Sequence, residues 1–106
     1  MAAVLLRAAA RRDLEESFVY LAENAGLDTA ERFLTSAESS FNDLAAQPMI
    51  GAPLTLRHPS LVGIRKWPIK NFENYLIFHQ PRSSGVSIVR VLHGARDWMH
   101  LFGIDR

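Results

Sequence analysis

The sequence of 106 residues contains no cysteine, so it can form neither a disulfide framework nor a thiolate metal site. It also lacks a glycine-rich phosphate loop, a Gly-x-Ser-x-Gly elbow and a regularly spaced series of metal ligands. Its apolar runs are too short for a signal peptide or a membrane-spanning helix. We therefore expect one cytoplasmic domain over residues 1–106, with no metal, no cofactor and no membrane contact.

The chain has almost no excess charge, because 12 Lys and Arg residues nearly balance 11 Asp and Glu residues and leave a net charge of +1. The two halves of the chain differ, however. Residues 1–56 carry a net charge of −4, whereas residues 57–106 carry +5 and all four histidines. A basic half is typical of proteins that bind a nucleic acid, an enzyme acting on nucleic acid, or an acidic partner.

The first half of the chain is predicted to contain one strand and two helices. Ala2–Leu6 is short and apolar, which is typical of a strand. Apolar residues at helical spacing predict one helix from Arg7 to Ala25 and another from Asp28 to about Ala46. Gly26 would end the first helix. Asp28, at the start of the second helix, forms a capping-box pattern with Glu31. The two helices should form an antiparallel hairpin whose apolar faces pack on another layer.

The second half predicts three strands after an irregular crossing over residues 47–60. The strands are Leu61–Ile69, Asn74–His79 and Val86–Leu92, linked by turn-like sequences. Five of the seven residues in the last strand are apolar, which predicts that it is covered on both faces. The predicted fold class is α+β: an N-terminal strand, an antiparallel helical hairpin packed on a small, twisted, mainly antiparallel sheet, and a short C-terminal tail.

Basic side chains and histidines near the strand ends are the candidates for chemistry. Five cations come from different strands or strand ends, and they could converge on one solvent face to hold phosphates: Arg65, Lys66, Lys70, Arg90 and Arg96. The simpler alternative is a charged face that keeps the sheet soluble. His93 and His100 could act as an acid or a base, or His93 could bond to backbone at the strand end. A zinc site is not expected, because no acidic third ligand has suitable spacing.

The segment after the last strand combines charged and aromatic residues. Arg96 and Asp97 could pair locally, with Asp97 capping a turn while Arg96 reaches outward. Trp98 begins an apolar tail. This tail either folds back to cover the sheet or forms an exposed patch that docks a partner.

Several of these stretches carry a family resemblance. Val91–Asp97 resembles the C-terminal signature of the ParE family of bacterial toxins, within the wider RelE/ParE superfamily. Asn74–Phe78 is similar to the preceding strand of that family, and Asp13–Glu16 to its first helix. With Arg65 and Pro68 between, the similarity covers nearly the whole chain. It implies a small α+β sandwich in which the N-terminal strand pairs into the meander.

The resemblance also implies a function, the toxin of a type II toxin–antitoxin pair. Toxins of this family inhibit DNA gyrase and block DNA replication. A ParD-like antitoxin wraps and neutralises them in a hetero-oligomer. On this implication the chain has no catalytic centre of its own, and it contacts DNA only indirectly, through gyrase or the antitoxin.

Two alternatives stay open. RelE-like relatives on the same fold are ribosome-dependent mRNA endoribonucleases that use basic residues and a tyrosine or histidine near the C-terminus. The tyrosines of this chain, Tyr20 and Tyr75, lie far from the C-terminus. His93 and His100 lie near it, so they leave the nuclease as an alternative. The second alternative is an inactive module that only binds its antitoxin. The sequence also departs from the usual ParE strand at His79, where an aromatic residue is expected.

The resemblance and the helical periodicity together nominate two sets of site residues. The gyrase-facing set is Arg65, Lys66, His93, Arg96, Asp97 and Trp98. The antitoxin-binding set lies on the apolar stripes of the helical hairpin, and it consists of Phe18, Leu21, Phe33, Leu34 and Phe41. An antitoxin segment that folds on binding could cover both the hairpin and the rim of the sheet.

Overall fold

The computed structural model describes residues 3–56, 58–94 and 98–101. The elements are β1 (Ala3–Leu6), α1 (Ala8–Ala25), α2 (Leu27–Ala46), β2 (Ala52–Pro53), β3 (Arg65–Ile69), β4 (Phe72–Arg82), β5 (Gly85–His93) and α3 (Trp98–Leu101). The N-terminal strand, the helical hairpin and the mainly antiparallel sheet confirm the predicted α+β class. None of the described helices has the length and apolar character needed to cross a membrane.

The two helices of the hairpin are joined by a single residue, Gly26. Its φ of +98° ends α1 and lets α2 begin immediately at Leu27. The predicted capping box is therefore wrong, because Asp28 lies inside the first turn of α2 rather than before it. In that position its carboxylate still interacts favourably with the positive end of the helix dipole.

The sheet has five strands in the order β1-β5-β4-β3-β2. Strands β3, β4 and β5 form the predicted antiparallel meander, and β1 pairs in parallel with the first half of β5, from Ala3↔Gly85 to Leu6↔Ile88. Three boundary predictions are wrong, one of them for β4, which runs over Phe72–Arg82 rather than Asn74–His79. Residues 61–64 are not a strand, and the crossing over residues 47–60 contains the short strand β2 and a single 3-10 turn at Pro59–Leu61.

The sheet is covered on both faces. On the face that carries the hairpin, here called the helix face, the core includes Leu14, Phe33, Phe41 and Leu44 from the helices and Ile77, Val86, Ile88 and Val91 from the sheet. On the opposite face, here called the second face, a smaller cluster contains Leu56, Ile64, Phe78, Val89 and Leu92, with Leu54, Leu61, Leu76 and Trp98 packed against it. Burial of β5 on both faces confirms the interpretation of its apolar run.

Candidate functional site

An open groove runs between α1 and the sheet on the helix face, and we call it the α1 groove. It exists because β1 pairs with β5 only as far as Ile88, so α1 lies alongside the rest of β5. The groove has a volume of about 610 Å³ and is lined by Asp13, Glu16, Ser17, Tyr20, Leu21, Phe72, Asn74, Tyr75, Val91, Leu92 and His93. Its size and partly apolar lining suit a segment of a protein partner.

Asp13 closes the side of the groove on which β5 has no neighbouring strand. Its carboxylate accepts hydrogen bonds from the Arg90 guanidinium at 2.7 and 2.8 Å, and from the backbone N–H of Val91 at 3.0 Å. The carboxylate thus replaces the hydrogen-bond acceptor that another strand would supply. The hydrogen bond from Asp13 raises the pKa of Arg90, although burial acts in the opposite direction.

The floor of the α1 groove is a cluster of aromatic rings. Tyr75 packs against Phe33, with ring centroids 4.8 Å apart, and edge-on against His93 at 5.0 Å. Phe72 meets Phe33 edge-on at 5.5 Å. Burial, and secondarily Tyr20, raise the pKa of Tyr75, so its phenol stays neutral at physiological pH. The floor is therefore a preformed apolar surface with few polar groups.

The α1 side of the groove is acidic. Glu16 and Tyr20 line the groove, and both also line a shallow depression next to it with Glu15, Val19 and Glu23. Tyr20 is 60% exposed, so its side chain is accessible beside the groove. An apolar floor with an acidic rim fits a partner segment that carries apolar side chains next to lysine or arginine.

A second cluster of candidate residues lies on the second face. The Lys66 ammonium lies 5.1 Å from the centroid of the Trp98 ring, and this ring packs edge-on against Phe78 at 5.3 Å. The contact is a cation–π interaction on a surface that stays partly exposed. It brings together two residues of the predicted gyrase-facing set, and we call it the Lys66–Trp98 patch.

Two other residues of the predicted gyrase-facing set, Arg65 and His93, lie outside this patch. Arg65 is on the helix face, where its guanidinium donates to the Gly51 carbonyl at 2.9 Å, because neighbouring residues of a strand point to opposite faces. His93 lies in the α1 groove. Arg96 and Asp97 are outside the described residues. Because Arg65 and Lys66 lie on opposite faces, the five basic residues do not all converge on one face as predicted.

Some of the predicted antitoxin-binding residues are accessible to a partner, and the others are buried in the core. Leu21 lines the α1 groove, and Phe18 and Leu34 are half-buried outside its lining. The assignment of Phe33 and Phe41 needs correction, because their side chains are 0% and 4% exposed in the core between the hairpin and the sheet. The sheet covers these two residues of the α2 stripe, so they are not available to a partner.

Sequence reasoning missed the groove residues Asp13, Glu16 and Tyr20. A usable signal was present, since Val19 and Tyr20 are large apolar residues that lie off the apolar stripe of α1. The described part of the chain contains no group of three or more His, Cys, Asp or Glu side chains that could hold a metal ion.

Comparison with known proteins shows a shared fold and then the family. The fold is shared with a solved structure described as "Chromosomal ParDE TA system from P. aeruginosa", with a TM-score of 0.69 and 15% identity. The alignment covers 88% of this chain and 96% of that chain. No curated protein in the comparison matches the sequence. The family model of the ParE toxin of the type II toxin–antitoxin system, parDE, matches residues 4–98, so the chain belongs to the ParE toxin family.

Proposed function

We propose that this toxin inhibits DNA gyrase and thereby blocks DNA replication, until a ParD-like antitoxin binds and neutralises it. The observation that carries the proposal is the family match over residues 4–98. On this proposal the chain acts in the cytoplasm as a single domain over residues 1–106. It uses no catalytic centre or cofactor, and it contacts DNA only through gyrase or the antitoxin.

The arrangement of the cations favours inhibition by binding over cleavage of RNA. A nuclease of this fold would need several cations around one scissile phosphate. Arg90 is held by Asp13, whereas Arg65 binds the Gly51 carbonyl on the helix face and Lys66 lies on the second face. These three cations therefore do not surround one common point where a phosphate could bind. This supports the gyrase proposal over the endoribonuclease alternative.

A gyrase supercoiling assay tests the proposal directly. Purified toxin is added to gyrase, ATP and relaxed plasmid, and the products are scored for loss of supercoiling and for linear DNA. We expect inhibition that a ParD-like antitoxin relieves. If toxin shown to be folded by circular dichroism leaves supercoiling unchanged, the gyrase proposal is wrong. An in vitro translation assay then separates a ribosome-dependent nuclease from an inactive module.

The Lys66–Trp98 patch is our proposed contact surface for gyrase. Interfaces often depend on a few aromatic and cationic side chains at their centre. We predict that Lys66→Gln and Trp98→Ala each raise the toxin concentration for half-inhibition of supercoiling by about tenfold or more. Lys70→Gln is the matched control, because Lys70 is an exposed lysine outside the patch.

Antitoxin affinity separates a local effect of these variants from misfolding. Both patch variants should bind the antitoxin with wild-type affinity, since the α1 groove lies on the other face of the sheet. Half-inhibition at the wild-type concentration for both variants would exclude the patch as the gyrase contact, while leaving gyrase inhibition itself intact.

The α1 groove is our proposed surface for the antitoxin. Its aromatic floor would accept apolar side chains, and Glu16 would pair with a cation of the antitoxin segment. Leu21 keeps its predicted role as a lining residue. Phe18 and Leu34 remain proposed contacts at the margin of the hairpin.

We predict that Tyr20→Ala weakens antitoxin binding by about 10- to 100-fold and Glu16→Gln by up to about tenfold. Tyr20 is exposed, so its replacement should leave the fold unchanged. Isothermal titration calorimetry gives the dissociation constants. The control is Glu38→Gln, which removes an exposed carboxylate of α2 outside the groove lining. Equal affinities for all three variants and the wild type would place the antitoxin on another surface.

A further inference from the structure

His79 occupies an unusual position for a titratable side chain. It is 0% exposed within the sheet, and neither ring nitrogen has a hydrogen-bond partner among the described residues. Buried polar atoms are nearly always paired, because an unpaired one loses its hydration without compensation. Burying the unpaired ring of His79 therefore costs free energy. His79 also takes no part in the proposed contacts with gyrase and the antitoxin.

The ring lies beneath the segment that leads into the outermost strand. His79 pairs with Arg65 on β3, and a register shift in the pairing with β5 falls directly beside it. Over the ring, the backbone of Gly51 approaches so closely that a Cβ on this glycine would lie 3.3 Å from Nε2 of His79. The Gly51 carbonyl already accepts the Arg65 guanidinium at 2.9 Å. The Gly51 carbonyl is therefore already engaged by a cation.

These surroundings keep the ring neutral. Burial, and secondarily the charge of Arg65, lower the pKa of His79 from 6.5 to about 4. The backbone of Ile50 opposes the lowering, but it makes no hydrogen bond of normal geometry with the ring. Arg65 is the one charged group, among the described residues of the elements packed around the ring, that acts on this pKa.

The segment over the ring is weakly held. We call residues 50–56 the edge segment, and its strand β2 pairs with β3 through two residues, Ala52 and Pro53. A further hydrogen bond joins the Leu54 N–H to the Ile64 carbonyl at 3.0 Å. Beyond β2, Leu54 and Leu56 pack in the cluster on the second face that also contains Trp98. The edge segment therefore links the cover over His79 to the surroundings of the Lys66–Trp98 patch.

We propose that His79 is an acid-operated latch, whose protonation releases the edge segment from the sheet while the hairpin and strands β3 to β5 stay folded. An imidazolium would have two N–H donors, of which the Ile50 backbone could engage one, and it would face the like charge of Arg65. Moving the two-residue strand β2 admits water to the ring and leaves the other strand pairings intact. The proposal stands on this geometry and is independent of the gyrase proposal.

Amide hydrogen exchange by NMR at pH 7.5 and pH 4.5, corrected for the intrinsic exchange rates, tests the latch. The reporter is the Leu54 amide, and the reference is the amide of Ile77 in the interior of β4. For a ring pKa of 6.5 in the open segment and about 4 in the closed one, the open population should rise roughly 70-fold at pH 4.5. The protection of Leu54 should fall by that factor, whereas that of Ile77 should not.

His79→Phe keeps an aromatic ring at the position but cannot be protonated, so the variant should lose this pH dependence. If the phenylalanine does not fit beneath Gly51, His79→Leu gives the same comparison with a smaller side chain. His58→Gln removes an exposed histidine of the same region and should behave as the wild type. The latch is refuted if Leu54 and Ile77 lose protection equally, or if the variants at position 79 retain the wild-type response to acid.

Discussion

Replacing Asp13 by alanine is expected to lower the free energy of unfolding by about 3 kcal/mol. The carboxylate is 6% exposed and accepts three hydrogen bonds, two from Arg90 and one from the Val91 N–H. Its removal would leave the Arg90 guanidinium, whose side chain is 26% exposed, without its hydrogen-bonded counter-charge and with only the more distant attraction of Glu16. It would also leave the Val91 N–H buried at an unpaired strand edge. Urea unfolding at pH 7 measures the loss.

Two further variants test this explanation. Glu15→Ala removes an exposed carboxylate from the same turn of α1, and it should change the stability by less than about 0.5 kcal/mol. The double variant Asp13→Leu with Arg90→Met should regain part of the loss, because it no longer buries an unpaired charge. A loss below about 1 kcal/mol for Asp13→Ala alone would mean that water satisfies Arg90 and Val91 as well as the carboxylate does.

The contact between Asp13 and Arg90 also illustrates the limit of sequence reasoning for this chain. Helical periodicity located α1 correctly, but of its predicted stripe only Leu14 is buried, and Asp13 is buried beside it. A charged residue beside an apolar stripe is ordinarily solvated, and nothing local pairs it with a cation 77 residues later. Arg90 was accordingly considered either for a phosphate-binding cluster or for a charged, solvated face of the sheet. Only the end of β1 at Leu6 creates the open strand edge that the carboxylate covers.

The elements that were predicted well share a strong periodic signal. The hairpin helices and strand β5 have long patterns of apolar residues, and their existence and order are confirmed. Strand β2 has only Ala52 and Pro53, which is too short for any alternation and includes a residue that is rare in strands. Its pairing depends on the path of the chain around Gly51, so propensity could not reveal it.

Some residues of the candidate sites could be predicted from the sequence, whereas their arrangement on the two faces of the sheet could not. Lys66 and Trp98 were both nominated, and the structure brings them together across β3 and α3. Arg65 was nominated with Lys66, yet the alternation of side chains along a strand puts the two on opposite faces. Phe33 and Phe41 were assigned to a partner because a stripe on a helix does not reveal whether the sheet or another protein covers it.

The replacement of Gly85 by alanine is expected to be more damaging than the loss of Asp13, lowering the free energy of unfolding by about 4 kcal/mol. Gly85 begins β5 and pairs with Ala3 of β1. Its φ is +151°, and an added Cβ would lie 1.9 Å from the carbonyl oxygen of Ala3 and 2.6 Å from the nitrogen of Ala3. Both neighbours are backbone atoms, so no side-chain rotation relieves the clash. Strand β1 would have to leave the sheet, and Val4 and Leu6 would lose their packing on the main core.

Gly63→Ala separates this clash from the general strain of a positive φ. Gly63 has a φ of +82° and no atom within 4 Å of the added Cβ, so we expect a loss of only about 1 kcal/mol from the backbone conformation. Urea unfolding of both variants gives the difference, and exchange of the β1 amides shows whether that strand has detached. If the two glycine variants lose equal stability and β1 stays protected, the close approach of β1 to β5 is not what requires glycine at position 85. If Gly85→Ala alone releases β1, this contact anchors the N-terminal strand to the sheet.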